Sequence, residues 1–349
     1  MNKIVVYFSS LQSHFNQLYA GLEILKQDAN YTVEYIYNYH TLPSNLTKII
    51  YNDLTLIFDI DDSQNIVFEY YDQCDFYVKR MLTKEDYKKH PKTIPYGLNY
   101  SLIHPNCFLK KIYLKELKFS DLYKRFKYAT IFIKYSLKYH YFLSKTLNIN
   151  DSIANNNIKN MTSSPSDSNK IIFRARLWNP LNKEDRNIIN QERIDLNRKL
   201  KEKHNSNFIG GIQTDSLSIK ICPDLIIPKK TSDKKAYLKD LKKASIGIAN
   251  VGLDGSIGWK FSEYITHSLA IVTNPISQFQ IHGNLQANIN YLEYSNNDEC
   301  INQVQYLIDN PEKRKEMQYN NFKYYNDFLK PEKKLKLIFD EINLKSNLD

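Results

Sequence analysis

Residues 244–273 read ASIGIANVGLDGSIGWKFSEYITHSLAIVT, and their pattern decides the fold. Ile246–Ala249 is a short apolar run of strand type, and Gly252–Gly258 is glycine-rich. A helix begins near Trp259, and Ala270–Thr273 is a second apolar run. Strand, loop, helix and strand in that order predict an α/β domain with a parallel sheet. Ligands of such sheets bind beyond the carboxyl ends of the strands, and the following helix aims unpaired N–H groups into the same crevice. The stretch therefore predicts a site for an anionic ligand. Three of the chain's nine glycines, Gly252, Gly255 and Gly258, fall here and let the backbone come close to that ligand. Ser256 is placed to cap the helix or to donate to a phosphate. Lys260 and Glu263 lie three apart on one helical face, pairing a cation for phosphate with a carboxylate for ribose hydroxyls. The plain alternative is a bare strand-to-helix turn, since glycine clusters also occur where no nucleotide binds.

Around this segment the chain alternates in the same way. Ile171–Phe173 reads as the first strand of a domain, followed by a helix over Ile188–Lys203, a strand at Phe208–Ile209 and a helix over Lys235–Lys243. From Asp298 to Tyr325 the apolar spacing of Cys300, Val304, Leu307 and Ile308 predicts one helix. Asn310-Pro311 breaks it, and a second runs through Met317 and Phe322. At the other end Lys3–Ser9 reads as a strand, and His14–Lys26 as a helix with Leu18, Leu22 and Leu25 on one face. Apolar runs at Thr32–Tyr37, Thr55–Ile60 and Asp75–Val78 continue the first half as a further α/β sheet.

The 349 residues suit two domains. Residues 146–170 are polar and rich in Asn and Ser, as a linker is. The expected division is a domain over 1–165, a second over 166–325, and a last helix over 326–349 that returns toward the first. Hydrophobic content of 42% with 25% charged residues excludes a disordered chain. Cys74, Cys107, Cys222 and Cys300 are scattered without metal-ligand spacing, which predicts a reduced compartment and no zinc site. The start shows no signal-peptide core, and no window of about 18 apolar residues suggests a membrane span. A cytoplasmic protein is the expectation. The net charge of +10 is concentrated between residues 107 and 145, where ten Lys or Arg face only Glu116 and Asp121. With Phe126, Tyr128, Phe132 and Tyr135 interleaved, this stretch reads as a basic amphipathic helix suited to an anionic membrane surface. The same residue mix also suits nucleic acid, which would make the chain a basic nucleic-acid-binding protein.

The 244–273 segment resembles the donor-binding motif of GT-B glycosyltransferases, in which a Gly-rich loop leads into a helix with an acidic residue and then a small-residue turn into a strand. In that alignment Glu263 matches the second glutamate of a paired-glutamate motif, which binds the nucleotide ribose. The first glutamate falls at Gly255, with Asp254 one place off. The resemblance implies two Rossmann-like domains facing across a cleft, with closing C-terminal helices that cross back. It also implies a nucleotide-sugar donor, no cofactor, no required metal, and a donor site built from Asp254, Gly255, Ser256, Gly258, Lys260 and Glu263. Arg174 and Arg176 in Phe-Arg-Ala-Arg-Leu-Trp share a face of an extended segment, and the resemblance implies that they meet the leaving diphosphate.

Ser-His-Phe-Asn-Gln-Leu around His14 is similar to the Gly-His-x-x-Pro-Leu of inverting transferases, which implies that His14 is the base for an acceptor hydroxyl. Asp59, Asp61 and Asp62 offer competing carboxylates. Lys79, Arg80 and Asn99 are the candidate contacts for a glycan or lipid-linked acceptor. No nucleic-acid partner is expected on this reading. A sugar-nucleotide epimerase on the same fold is the remaining alternative.

Overall fold

The computed structural model describes residues 1–8, 13–37, 42–43, 45–102, 104, 158, 161–181 and 184–347. The basic stretch 107–145 and the first part of the expected linker lie outside the described residues. So do the membrane-surface and nucleic-acid readings of that stretch.

The first sheet contains β1 (Asn2–Phe8), β2 (Tyr31–Tyr37), β3 (Leu46–Tyr51), β4 (Leu54–Asp59), β5 (Phe76–Lys79) and β6 (Thr93–Pro95), in the order β2-β1-β3-β4-β5-β6. All neighbours pair in parallel except around β3, which is antiparallel to both β1 and β4. The turn joining β3 to β4 begins with Asn52 at φ 53°, a conformation asparagine tolerates better than most residues. The second sheet contains β7 (Ile171–Ala175), β8 (Phe208–Gln213), β9 (Ile226–Ile227), β10 (Ile246–Ala249), β11 (Ala270–Thr273) and β12 (Tyr291–Glu293). It is wholly parallel, in the order β12-β11-β10-β7-β8-β9. Numbered within the domain, that is the doubly wound order, which reverses between its first and fourth strands. The chain thus has two Rossmann-like α/β domains.

The central strands of the second sheet are buried along their whole length, so they read as continuous apolar runs without alternation. A second apolar cluster joins the domains, packing Met81, Leu98, Tyr100 and Leu102 with Ile257, Phe261 and Phe279. Backbone hydrogen bonds cross the same seam, from Lys84 N–H to the Gln278 carbonyl and from Gln280 N–H to that of Leu82, each 2.8 Å.

The helices Asn297–Asp309 and Pro311–Tyr324 meet at the Asn310-Pro311 break, and a turn at Tyr325–Leu329 leads into a helix over Pro331–Ser346. This last helix packs on the first domain. Its Leu335, Ile338, Phe339 and Ile342 share a core with Ile4, Leu22 and Phe58, and Phe339 stacks on Tyr51 with ring centres 4.3 Å apart. The approach is permitted by Gly21 in the helix Asn16–Leu25. A Cβ there would lie 2.6 Å from the Pro331 carbonyl oxygen and 2.7 Å from Leu335 Cδ1. The leucine tip can turn away, but the backbone oxygen cannot. Gly21→Ala is therefore expected to destabilise the fold by about 1–3 kcal/mol, as overpacking does, despite alanine's better helix propensity. Urea denaturation checks this, and an unchanged midpoint would show that the helix docks less tightly.

Candidate functional site

Because the strand order reverses between β7 and β10, the loops leaving their carboxyl ends diverge and open a crevice. A cleft of about 540 Å³ lies there, lined from the second domain by both loops and closed from the first domain by Ser13, His14, Asp62 and Arg80. Among the described residues six cations line it, Arg80, Arg174, Arg176, Arg193, Lys234 and Lys260, against three acids, Asp62, Asp233 and Glu263. That imbalance focuses a positive potential into the cleft and selects for an anionic occupant.

The loop after β10 is held by its carbonyls. Arg193 donates to Val251 O at 3.2 Å, Gln64 to Asp254 O at 3.1 Å and Arg80 to Ile257 O at 2.6 Å. Asp254 and Gly255 both take left-handed backbone angles, φ 56° and 67°. They form the outer bend of the turn and are exposed, so the structure places these two expected donor contacts outside the cleft lining. Gly252, Ser256 and Gly258 do line it. The helix Trp259–Thr266 starts at Gly258 without a side-chain cap, so Ser256 does not cap it and its first N–H groups lack the partner a cap would supply.

Glu263 sits one turn into that helix, only 5% exposed. Lys234 forms an ion pair with its Oε1, and the Tyr237 hydroxyl donates to Oε2 at 2.8 Å. Burial by itself would push the Glu263 carboxyl up. The Lys234 charge and hydrogen bond, the Lys260 charge and the Tyr237 hydrogen bond outweigh it and hold the group below the usual range. Lys260 shows the opposite balance, since burial pulls its ammonium down to about 8 although Glu263 favours the charged form. Arg174 pairs with Asp240 rather than standing free, and Arg176 lays its guanidinium on the Trp178 ring, 4.0 Å from the ring centre.

Across the cleft, His14 packs edge-on against Trp259, with ring centres 4.9 Å apart. Its Nδ1 lies 3.2 Å from the Ile60 carbonyl. A carbonyl oxygen only accepts, so Nδ1 carries the hydrogen and Nε2 is the ring nitrogen left to exchange a proton. Of the competing carboxylates, Asp59 is buried with Lys79 and the Tyr77 hydroxyl, each 2.7 Å away, and Asp61 accepts from Asn45. Only Asp62 lines the cleft, paired with Arg80.

The acceptor expectation is corrected by burial. Lys79 is fully enclosed by its pairing with Asp59 and does not reach the cleft. Asn99 donates its Nδ2 to the His14 carbonyl at 2.9 Å, which supports the histidine's backbone and leaves no exposed surface. Arg80 does reach the cleft, but Asp62 and Ile257 O occupy its guanidinium. Residues that the sequence reading missed include Arg193, Lys234, Tyr237, Trp178 and Trp259. Among the described residues no three His, Cys, Asp or Glu side chains gather as metal ligands, and no helix is long and apolar enough to cross a membrane.

The sequence matches no protein-family model and no curated protein. Among solved structures it is similar to several chains, two of them described as glycosyltransferases and one as a UDP co-structure. One is an alpha-glucosyltransferase in complex with UDP-glucose and DNA containing an abasic site. That match has 11% identity and a TM-score of 0.44, and covers 99% of this chain and 100% of that one. Another is the C-terminal domain of a glycosyl transferase group 1 family protein, LpcC, from Francisella tularensis, at 10% identity and TM-score 0.35, covering 48% of this chain and 95% of that one. A third is the S. aureus MnaA–UDP co-structure, at 11% identity and TM-score 0.36, covering 92% of each.

Proposed function

We propose that the chain is a glycosyltransferase. It takes a sugar from a nucleoside-diphosphate donor held by the second domain and passes it to a hydroxyl of a saccharide or lipid-linked glycan lying against the first, in surface polysaccharide or glycoconjugate synthesis. The observation that carries this reading is the cationic cleft at the switch point, closed on its far side by His14, whose Nδ1 lies against the Ile60 carbonyl. In the reaction His14 Nε2 takes the acceptor hydroxyl proton as the hydroxyl oxygen bonds to the anomeric carbon, and the bond from that carbon to the diphosphate oxygen breaks. Arg176, Lys260 and the uncapped helix N-terminus meet the charge that develops on the diphosphate, the electrostatic part that a metal plays in other transferases. No metal is required on this reading.

Glu263 is assigned to the ribose. Among the described residues its two oxygens have one protein partner each, and each carboxylate oxygen retains acceptor capacity for a hydroxyl. Thermal-shift titration with UDP, GDP and dTDP against single-stranded oligonucleotides tests the reading. Stabilisation by a nucleoside diphosphate supports it, and stabilisation by the oligonucleotide alone, lost on adding salt, replaces it with nucleic-acid binding. Glu263→Ala is expected to weaken UDP by roughly tenfold or more while changing inorganic pyrophosphate less, because only UDP carries the ribose. Isothermal titration with both ligands decides, and equal losses would reduce Glu263 to a counter-charge for Lys234 and Lys260.

A further inference from the structure

Arg193 is a cleft cation that lies along the core-facing side of a helix. It sits within the helix Glu184–His204, on the same buried stripe as Ile189, Leu196 and Leu200, and is 7% exposed. No carboxylate among the described residues pairs with it. Its two terminal nitrogens donate instead to backbone carbonyls, one to Arg176 O at 2.8 Å in the loop after β7 and the other to Val251 O at 3.2 Å in the loop after β10. Its Nε–H is buried without a partner among the described residues. A buried guanidinium lacking a counter-ion is costly, and a structure that keeps one where the two loops part has a use for it.

We propose, resting on the donor-site reading above, that Arg193 is a positioning residue for the diphosphate subsite: it clamps the loops after β7 and β10 at a fixed separation and supplies the inner positive wall that the diphosphate neutralises. The planar fork of a guanidinium can hold two carbonyls at once, which a single ammonium cannot do with the same geometry. Burial and then the neighbouring Arg176 charge pull the Arg193 guanidinium down to about 10, in keeping with a cation that wants an anion.

Two tryptophans make this testable, because Trp178 and Trp259 are the only two in the chain and both line the cleft, one beyond each clamped loop. Their fluorescence therefore reports the separation of the loops in the ligand-free protein. Arg193→Lys is expected to fold with nearly the wild-type melting temperature and to show greater acrylamide quenching. It should lose roughly tenfold in affinity for UDP and for inorganic pyrophosphate alike, about the loss of one charge-assisted hydrogen bond. Arg193→Gln, which keeps an amide donor without the charge, provides the second variant and should lose more. Wild-type quenching together with wild-type pyrophosphate affinity in either variant overturns the proposal, as does an affinity loss that only tracks a fall in melting temperature. Wild-type protein that binds neither UDP nor pyrophosphate overturns the donor-site reading instead, and ligand-free quenching then still decides whether Arg193 holds the loops.

Discussion

Replacing His14 by alanine is expected to lower turnover by about 10²–10⁴-fold, the usual worth of a positioned general base, while leaving the affinity for the nucleotide close to that of the wild type. The asymmetry follows from where the residue sits. His14 belongs to the first domain and meets the second through the edge of Trp259, whereas the cations that would hold a diphosphate belong mostly to the second domain. Its Nδ1–H is held by Ile60 O and its backbone carbonyl by Asn99, so the ring is oriented before any acceptor arrives. Initial rates of sugar transfer measured beside nucleotide dissociation constants separate the two effects. An active His14→Ala enzyme would remove the histidine from the mechanism and leave Asp62 as the first-domain carboxylate that lines the cleft.

The second large effect concerns pH. Lys260 has a folded-state value of about 8, well under the ordinary lysine value, because burial disfavours its charged form. Below that value the side chain is a cation and attracts a diphosphate. Above it the neutral amine gives nothing to an anion. Affinity for UDP should therefore be steady below pH 8 and fall above it, by up to about tenfold per pH unit until the bound complex also deprotonates. The diphosphate raises the Lys260 value in the complex, so binding takes up a proton in the interval between the two values. Lys260→Met should bind UDP about as weakly as the wild type does at high pH and should lose the dependence. A titration series from pH 7 to 9, below the Arg193 value, in two buffers of different ionisation enthalpy reads both the slope and the proton uptake. A flat wild-type profile would show that Lys260 does not face the diphosphate.

Much of the second domain was legible because its strands are short apolar runs separated by helices of clear period, and the segment 244–273 falls where the read order placed it. The first sheet was harder. β3 reads LTKIIY, a polar–apolar mixture with a lysine inside, and only its pairing to β1 and β4 identifies it as a strand. Lys79 was misjudged for a related reason, since its partner Asp59 lies 20 positions earlier and the two become opposite only through the parallel register of β4 and β5. Lys234 reaches Glu263 from 29 positions away by way of the folded sheet, and no local pattern announces that pair. Arg193 is different. An arginine spaced four from Ile189, three from Leu196 and seven from Leu200 interrupts an apolar stripe, and that interruption was readable in the sequence.

The docking of Pro331–Ser346 on the first domain has a consequence for how the molecule is made. On the ribosome the first-domain strands and the helix Asn16–Leu25 emerge before the second domain, and the side chains that cover that helix are synthesised only after it. The first domain must wait, with Leu18, Leu22 and Leu25 short of their final covering, while the second domain is completed behind it. A nascent chain of this design invites chaperone holding during translation. Ribosomes that stall before Pro331 would release a product whose first domain is sticky even when its second is finished.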